Sequence, residues 1–342
     1  MRTGLMILGD HMPNPNDGKR ISQQAHHRQI VDNSVLAEEL GFGSIWLGEH
    51  HFCDYILASP PVVLAAIAER TERLRLGTAV TLLPVLDPVR AAEDYATVDL
   101  LSGGRLELTV GRGILANTYT LLTRDHADSL EMGRENLELL IELWTKEEVH
   151  FDARFRAPLS GVRVEPHPVQ RPHPPIWFAG ATEDSLRVGA TLGLDLMLPS
   201  VMVGPDAFVP VVDHYRDLYS AAGHDAAKLK IGACSHVHVA VDSQTARKRW
   251  EPYLSGYFAW VAELVQWSGG YFPDNFSLEF DAILEGPAIC GSPAEVTDRI
   301  LRMRELLGLD VHLAMLDHGG IPHNELVETL TLYGQQVIPN IE

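Results

Sequence analysis

Glu49, His50 and His51 stand side by side where an apolar run ends, in Gly41-Phe42-Gly43-Ser44-Ile45-Trp46-Leu47-Gly48-Glu49-His50-His51-Phe52. Three adjacent titratable groups are costly to bury unless tight pairing or chemistry justifies them. Three readings are open on this segment. In a catalytic reading one histidine holds or moves a proton near neutral pH while a neighbour orients it. In a metal reading only one histidine joins Glu49, because successive side chains on a strand face opposite ways. In a structural reading the rings are hydrogen-bonded at the strand end and do nothing more.

Three further segments carry candidate chemistry. His236-x-His238 places two rings on one strand face, a spacing used by some barrel metallohydrolases. The pair comes late, however, and the first strand, Gly4-Leu5-Met6-Ile7-Leu8, offers no ligand. Satisfied structural histidines are therefore expected, with a zinc-dependent barrel hydrolase as the remote alternative. The stretch 103–113 reads as a tight turn, an alternating strand and then Arg112 between two glycines. There a backbone can approach something flat or anionic, and a guanidinium can fork onto phosphate or carboxylate; a turn with a solvated arginine is the plain alternative. The stretch 174–185 reads as strand, small-residue turn and capped helix start, where the amides of Gly180, Ala181 and Thr182 and the hydroxyls of Thr182 and Ser185 make an anion cradle. Glu183 and Asp184 would repel a phosphate if they faced it, and a simple capped helix is equally open.

To position these groups, short apolar runs alternate with amphipathic stretches along nearly the whole chain, the pattern of repeated βα units on a parallel sheet. Eight strands are predicted at 5–8, 44–47, 74–80, 106–110, 175–179, 194–198, 229–241 and 311–316. Helical periodicity marks 30–40, 63–70, 88–101, 136–144, 184–192 and 207–222. Eight units suit a (β/α)₈ TIM barrel, in one domain spanning 1–342, better than a doubly wound sheet. Gly9-Asp10-His11-Met12-Pro13 also lacks the dinucleotide glycine pattern. Ser292-Pro293-Ala294-Glu295 is a capping box opening a helix that Gly308 closes. Two insertions break the rhythm. Residues 150–174 read as a hairpin around Pro158-Leu159-Ser160-Gly161 before strand five. Residues 250–287, rich in Trp and Tyr, read as a lid or binding loop before strand eight.

A formal charge of −19, from 27 basic and 46 acidic residues, argues against a nucleic-acid face or an anionic-membrane anchor. The three widely spaced cysteines suggest neither a disulfide framework nor a zinc knuckle, which fits a reducing, cytoplasmic setting. No apolar run reaches the roughly 18 residues of a membrane span, and the first ten residues lack a signal core, so a soluble protein is expected.

Taken in order, these segments resemble the bacterial luciferase superfamily, the luciferase-like flavin monooxygenases. The likeness runs through Phe42 to the Glu-His-His-Phe ending, Leu76-Gly77-Thr78-Ala79-Val80, Asp87-Pro88-Val89-Arg90-Ala91-Ala92-Glu93-Asp94, Ser102-Gly103-Gly104-Arg105 to Arg112-Gly113, and Gly291-Ser292-Pro293-Ala294-Glu295-Val296. The resemblance implies a barrel that binds FMN at the carboxyl ends of its strands. It places Arg112 and Arg134 at the phosphate with Gly180, Ala181, Thr182 and Ser185, and adds Thr109 to the cofactor site. It makes Ala79-Val80 a non-prolyl cis bond under the isoalloxazine, and His50 the catalytic histidine with Glu49 and His51 beside it. It further implies a two-component monooxygenase: FMNH2 from a separate flavin reductase, O₂ added at the flavin C4a carbon, and the peroxyflavin spent on an apolar or aromatic small molecule such as an aldehyde, ketone or natural-product scaffold. A homodimer is expected on the same ground. An F420-dependent oxidoreductase and a non-catalytic flavin-binding protein are the alternatives within this fold.

Overall fold

The computed structural model of the chain describes residues 1–270 and 276–341. Its strands are β1 (Arg2–Ile7), β2 (Ser44–Leu47), β3 (Arg75–Thr78), β4 (Leu106–Val110), β5 (Val149–Phe151), β6 (Leu159–Val162), β7 (Ile176–Ala179), β8 (Asp195–Leu198), β9 (Ile231–Val239), β10 (Ala288–Gly291) and β11 (Val311–Met315). The principal helices are α1 (Gln23–Glu39), α2 (Pro60–Ala68), α3 (Pro88–Leu101), α4 (Asn117–Leu121), α5 (Ser129–Thr145), α6 (Glu183–Thr191), α7 (Val209–Ala221), α8 (Ser243–Ser268), α9 (Phe280–Glu285), α10 (Pro293–Leu307) and α11 (His323–Leu332).

Eight parallel strands close on themselves in the order β1-β2-β3-β4-β7-β8-β9-β11, with β11 returning to β1. This is a TIM barrel, and all eight predicted strands are found within a few residues of their expected ends. Strand β3 stops at Thr78, and the Ala79–Val80 peptide that follows is cis, as expected. One strand was not foreseen: β10, which pairs through Ala288–Gly291 with the His236–Val239 part of β9 that runs beyond its pairing with β11 at Gly232–His236. The capping box at Ser292 and Glu295 forms as expected, and Gly308 ends α10 with φ +67°.

Large and small residues interdigitate inside the barrel. The Trp46 indole lies against Gly77, where an added Cβ would stand 2.3 Å from the ring, and edge-on to Trp177 with centroids 6.2 Å apart. At the amino-terminal end the buried carboxylate of Glu107 ties three strands together. It accepts two hydrogen bonds from Arg2 at 2.6 and 2.7 Å, one from Arg75, and one from the Trp177 indole at 3.0 Å. Burial alone would raise its pKa, but the two guanidiniums hold it below the ordinary carboxylate value.

Both insertions differ in detail from the reading of the sequence. The hairpin forms from β5 and β6, but its turn is 152–158, so Leu159, Ser160 and Gly161 are strand rather than turn. The Arg154 side chain pairs with Glu131, and its amide donates to Glu135, pinning that turn to α5. The aromatic segment opens as part of the long helix α8 rather than as a loop. Trp250, Tyr253, Tyr257, Phe258, Val261 and Val265 recur at helical spacing and are buried on one face. Tyr271 and Phe272 lie outside the described residues. Among the described residues no helix is long and apolar enough to cross a membrane, and Cys53, Cys234 and Cys290 are free thiols.

Glu107→Ala strands two guanidiniums and the Trp177 indole at the barrel floor, and is expected to cost about 3 kcal/mol in urea unfolding. An unchanged unfolding midpoint would mean that the floor does not depend on this carboxylate.

Candidate active site

A cavity of about 710 Å³ opens at the carboxyl-terminal end of the barrel, where barrels of this kind carry their chemistry. Met6 and Leu8 of the first strand segment, Met197, Cys234 and Leu313 form an apolar floor, while loops and α8 form the walls. The expected residues Glu49, His50, Ala79, Val80, Arg112, Gly180, Ala181, Thr182 and Ser185 all border it.

The turn after β2 builds one wall. Glu49 is buried, and both of its carboxylate oxygens are engaged: Oε1 with His51 Nε2 at 2.9 Å and Oε2 with the Leu82 amide at 3.0 Å. It therefore ties the end of β2 to the chain just after the cis bond. His51 is committed to Glu49 and does not reach the cavity. Phe52 adopts φ +59°, a left-handed conformation rare for a bulky residue, and the chain then folds back. His50 thereby stacks on Tyr55, with ring centroids 3.9 Å apart. Burial, helped by the neighbouring His51, lowers the His50 pKa to about 3, so the ring is a neutral imidazole at working pH. Its Nδ1 is buried without a hydrogen-bond partner, which leaves Nε2 to deal with the cavity.

The opposite end is cationic. Arg112 follows β4, with its carbonyl held by the Tyr119 hydroxyl at 2.7 Å and Nη1 at 3.4 Å from Ser129 Oγ. Among the described residues no carboxylate pairs with it. Beside it, Gly113 has φ +68°, and a Cβ there would stand 2.7 Å from Leu82. On the neighbouring strand of the wall, the turn after β7 enters α6. The Ser185 hydroxyl accepts from the Thr182 amide at 3.1 Å, and an added Cβ at Gly180 would stand 2.6 Å from that oxygen. Glu183, a concern in the sequence, turns outward to Arg187 and His214 and does not border the cavity.

Besides His51, two further expected residues are placed elsewhere. Arg134 sits on α5, whose buried stripe is Met132, Asn136, Leu139, Leu140 and Leu143. That phase turns Arg134 outward to Glu138 at 2.8 Å. Thr109 is buried in the wall, with its carbonyl accepting from Thr78 Oγ1, and does not border the cavity.

Tyr55 and His126 border the cavity although nothing in their sequence context singled them out, and His236 of the His-x-His strand and Tyr257 of the aromatic segment border it as well. His236 donates Nε2–H to the Val201 carbonyl at 3.0 Å, whereas His238 lies near Thr329 and stacks on Trp250. Among the described residues no three His, Cys, Asp or Glu side chains converge as a metal-ligand set.

The family model for luciferase-like monooxygenases matches residues 1–310. The chain belongs to the luciferase-like monooxygenase family. It is 24% identical over 318 residues to the oxygenase component of the flavin-dependent trigonelline monooxygenase of Acinetobacter baylyi, covering 88% of this chain and 87% of that one. Among solved structures, monooxygenase RslO1 of Streptomyces bottropensis superposes with a TM-score of 0.85 at 28% identity, over 100% of both chains. The oxygenating constituent of 3,6-diketocamphane monooxygenase from Pseudomonas putida, in complex with FMN, superposes with a TM-score of 0.79 at 20% identity, over 100% of this chain and 99% of that one.

This luciferase-like monooxygenase keeps several histidines buried and neutral. Burial lowers His50 and His238 to about 3 and His236 and His312 to about 4, and puts His318 well below its ordinary value. Unfolding returns each ring to about 6.5, so the unfolded state binds more protons between those values. Their contribution is complete above pH 6.5 and is lost as the pH falls toward 4. Asp10 works the other way, because burial and Asp317 raise it to about 7, so its contribution declines between about pH 4 and 7. Asp195, which burial raises to about 6, and Glu325, which burial also raises, act with Asp10, but the five rings outweigh these carboxyls: the thermal midpoint is expected to fall steeply from pH 6.5 to pH 4, and less steeply in His312→Leu. A flat profile in that window would mean that these rings are protonated in the fold.

Proposed function

We propose that the protein is the oxygenase component of a two-component FMN-dependent monooxygenase. It would take FMNH2 from a separate flavin reductase and use O₂ to oxygenate an apolar or aromatic small molecule. The observation that carries this reading is the polarity of the cavity at the carboxyl-terminal rim. A guanidinium without a carboxylate partner and a helix amino terminus stand at one end, a neutral histidine at the other, and apolar wall lies between. That sequence of surfaces fits a flat heteroaromatic ring with a phosphate tail. The close approaches at Gly113 and Gly180 leave the backbone open where side chains would otherwise intrude. The trigonelline enzyme, named both flavin-dependent and an oxygenase component, supports the same reading.

Arg112, the Gly180–Ala181 turn and the amino terminus of α6 would hold the phosphate, and Ala79 and Val80 would lie under the ring system. Bound as FMNH2, the cofactor supplies the electrons that activate O₂. The chain's own work is to orient and to protect. The apolar floor and Val261 of α8 keep bulk water from the reacting region. His50, uncharged and fixed against Tyr55, holds or accepts a proton at Nε2 without bringing a cationic acid into the site. Glu49, with both oxygens bonded, positions the strand end and the Leu82 loop.

FMN and FMNH2 should both quench on titration with the protein, FMNH2 more tightly, and F420 should not displace them. Absence of FMN and FMNH2 binding would overturn the proposal, and preferential F420 binding would replace it with hydride-transfer chemistry. Arg112→Ala is expected to weaken FMN binding about 10- to 100-fold, the range of a charge-assisted hydrogen bond of roughly 1.5–3 kcal/mol. His50→Ala should leave flavin affinity within about twofold while shifting consumed O₂ from product to hydrogen peroxide by about tenfold or more. Coupling unchanged in that variant would remove His50 from the mechanism.

A further inference from the structure

The Tyr55 and Tyr257 hydroxyls meet at 2.8 Å, one from the turn after β2 and the other from α8, and both residues border the cavity. A hydrogen bond between two hydroxyls uses one of their two hydrogens, whichever oxygen donates. The second hydrogen is left over. Burial raises both phenol pKa values well above the ordinary one, so both groups keep their protons at any working pH.

Among the described residues no protein group takes that hydrogen. His50 offers Tyr55 its ring face at 3.9 Å, and Trp260 meets Tyr55 edge-on at 4.8 Å. His236 and His318 approach Tyr257 as tilted rings at 5.4 and 5.2 Å, and neither forms a hydrogen bond with it. A buried donor without an acceptor costs about 1–3 kcal/mol, so such groups persist where a ligand satisfies them. The neighbouring wall is apolar, formed by Leu8, Val201 and Val261.

We propose that the Tyr55–Tyr257 pair is the polar anchor of the substrate site: the substrate carries a carbonyl-type oxygen on an apolar body, and that oxygen accepts the spare hydroxyl hydrogen beside His50. The proposal rests on the monooxygenase reading for its chemistry, but not for the binding it asserts. The pair selects between molecules of equal shape by a single oxygen atom. A hydrocarbon fills the same space and leaves the donor unpaired.

The test uses 2-acetylnaphthalene and its hydrocarbon counterpart 2-isopropylnaphthalene, titrated by fluorescence against the full chain with and without FMN. The ketone is expected to bind about tenfold more tightly, the worth of roughly one neutral hydrogen bond. Each single change, Tyr55→Phe or Tyr257→Phe, leaves one hydroxyl with a free hydrogen and should keep part of that preference. The double change should bring the ratio to about one while leaving hydrocarbon affinity and FMN affinity unaltered. Equal binding of the two probes by the unaltered protein overturns the proposal without recourse to any variant, as does a tenfold preference that survives the double change. Ketone preference in a protein that binds no flavin would sink the cofactor reading and leave the anchor standing.

Discussion

A parallel strand has no hairpin partner, and an open parallel sheet leaves two edges of unpaired amides; closure through the β1–β11 pairing removes both. The rest of the molecule follows from that closure. Because all eight wall strands run the same way, their carboxyl ends gather on one rim, and segments far apart in sequence meet there. The turn at Glu49, the bend after Thr78, the glycines around Arg112 and the entry to α6 come together because each follows a strand. The opposite rim is held by a buried ion-pair network. Glu107 locks it by spanning β1, β3 and the Trp177 indole of β7.

At the working rim the same economy recurs on a smaller scale. Glu49 uses both oxygens on the protein itself, so it fixes two loops relative to each other instead of presenting a charge to the cavity. His50 and His236, which line the cavity, and His318 beside them are buried deeply enough to remain neutral. In a chain with a formal charge of −19, the arginine that borders the cavity is Arg112, and the one carboxylate among its lining residues, Glu49, is bonded back into the protein. A site of that kind favours apolar guests at one end and an anionic tail at the other.

Much of this was legible from residue order because it rests on local rules. Strand ends, the capping box at Ser292, the left-handed Gly308 and the placement of His50 and Arg112 at strand termini depend on neighbours within a few positions. What could not be read depends on helix phase and on contacts across the barrel. Arg134 lies in a plausible stretch, yet its phase on α5 turns it to Glu138. The aromatics from Trp250 onward looked like an insertion, although their spacing of three and four residues was that of a helix with a buried face. Composition drew attention away from periodicity.

The sequence by itself determined the alternation of strand and helix, and with it a barrel whose active rim holds Glu49, His50, Arg112 and the Gly180 turn. Only the tertiary structure decided that His51 would serve Glu49 while His50 faced the cavity, that Thr109 would be walled in, and that Tyr55 would meet Tyr257 from 202 positions away. The reason is physical. Backbone preference and amphipathic pattern act over a few residues, whereas the direction a side chain finally takes is set by packing and hydrogen-bond partners that exist only once the barrel has closed.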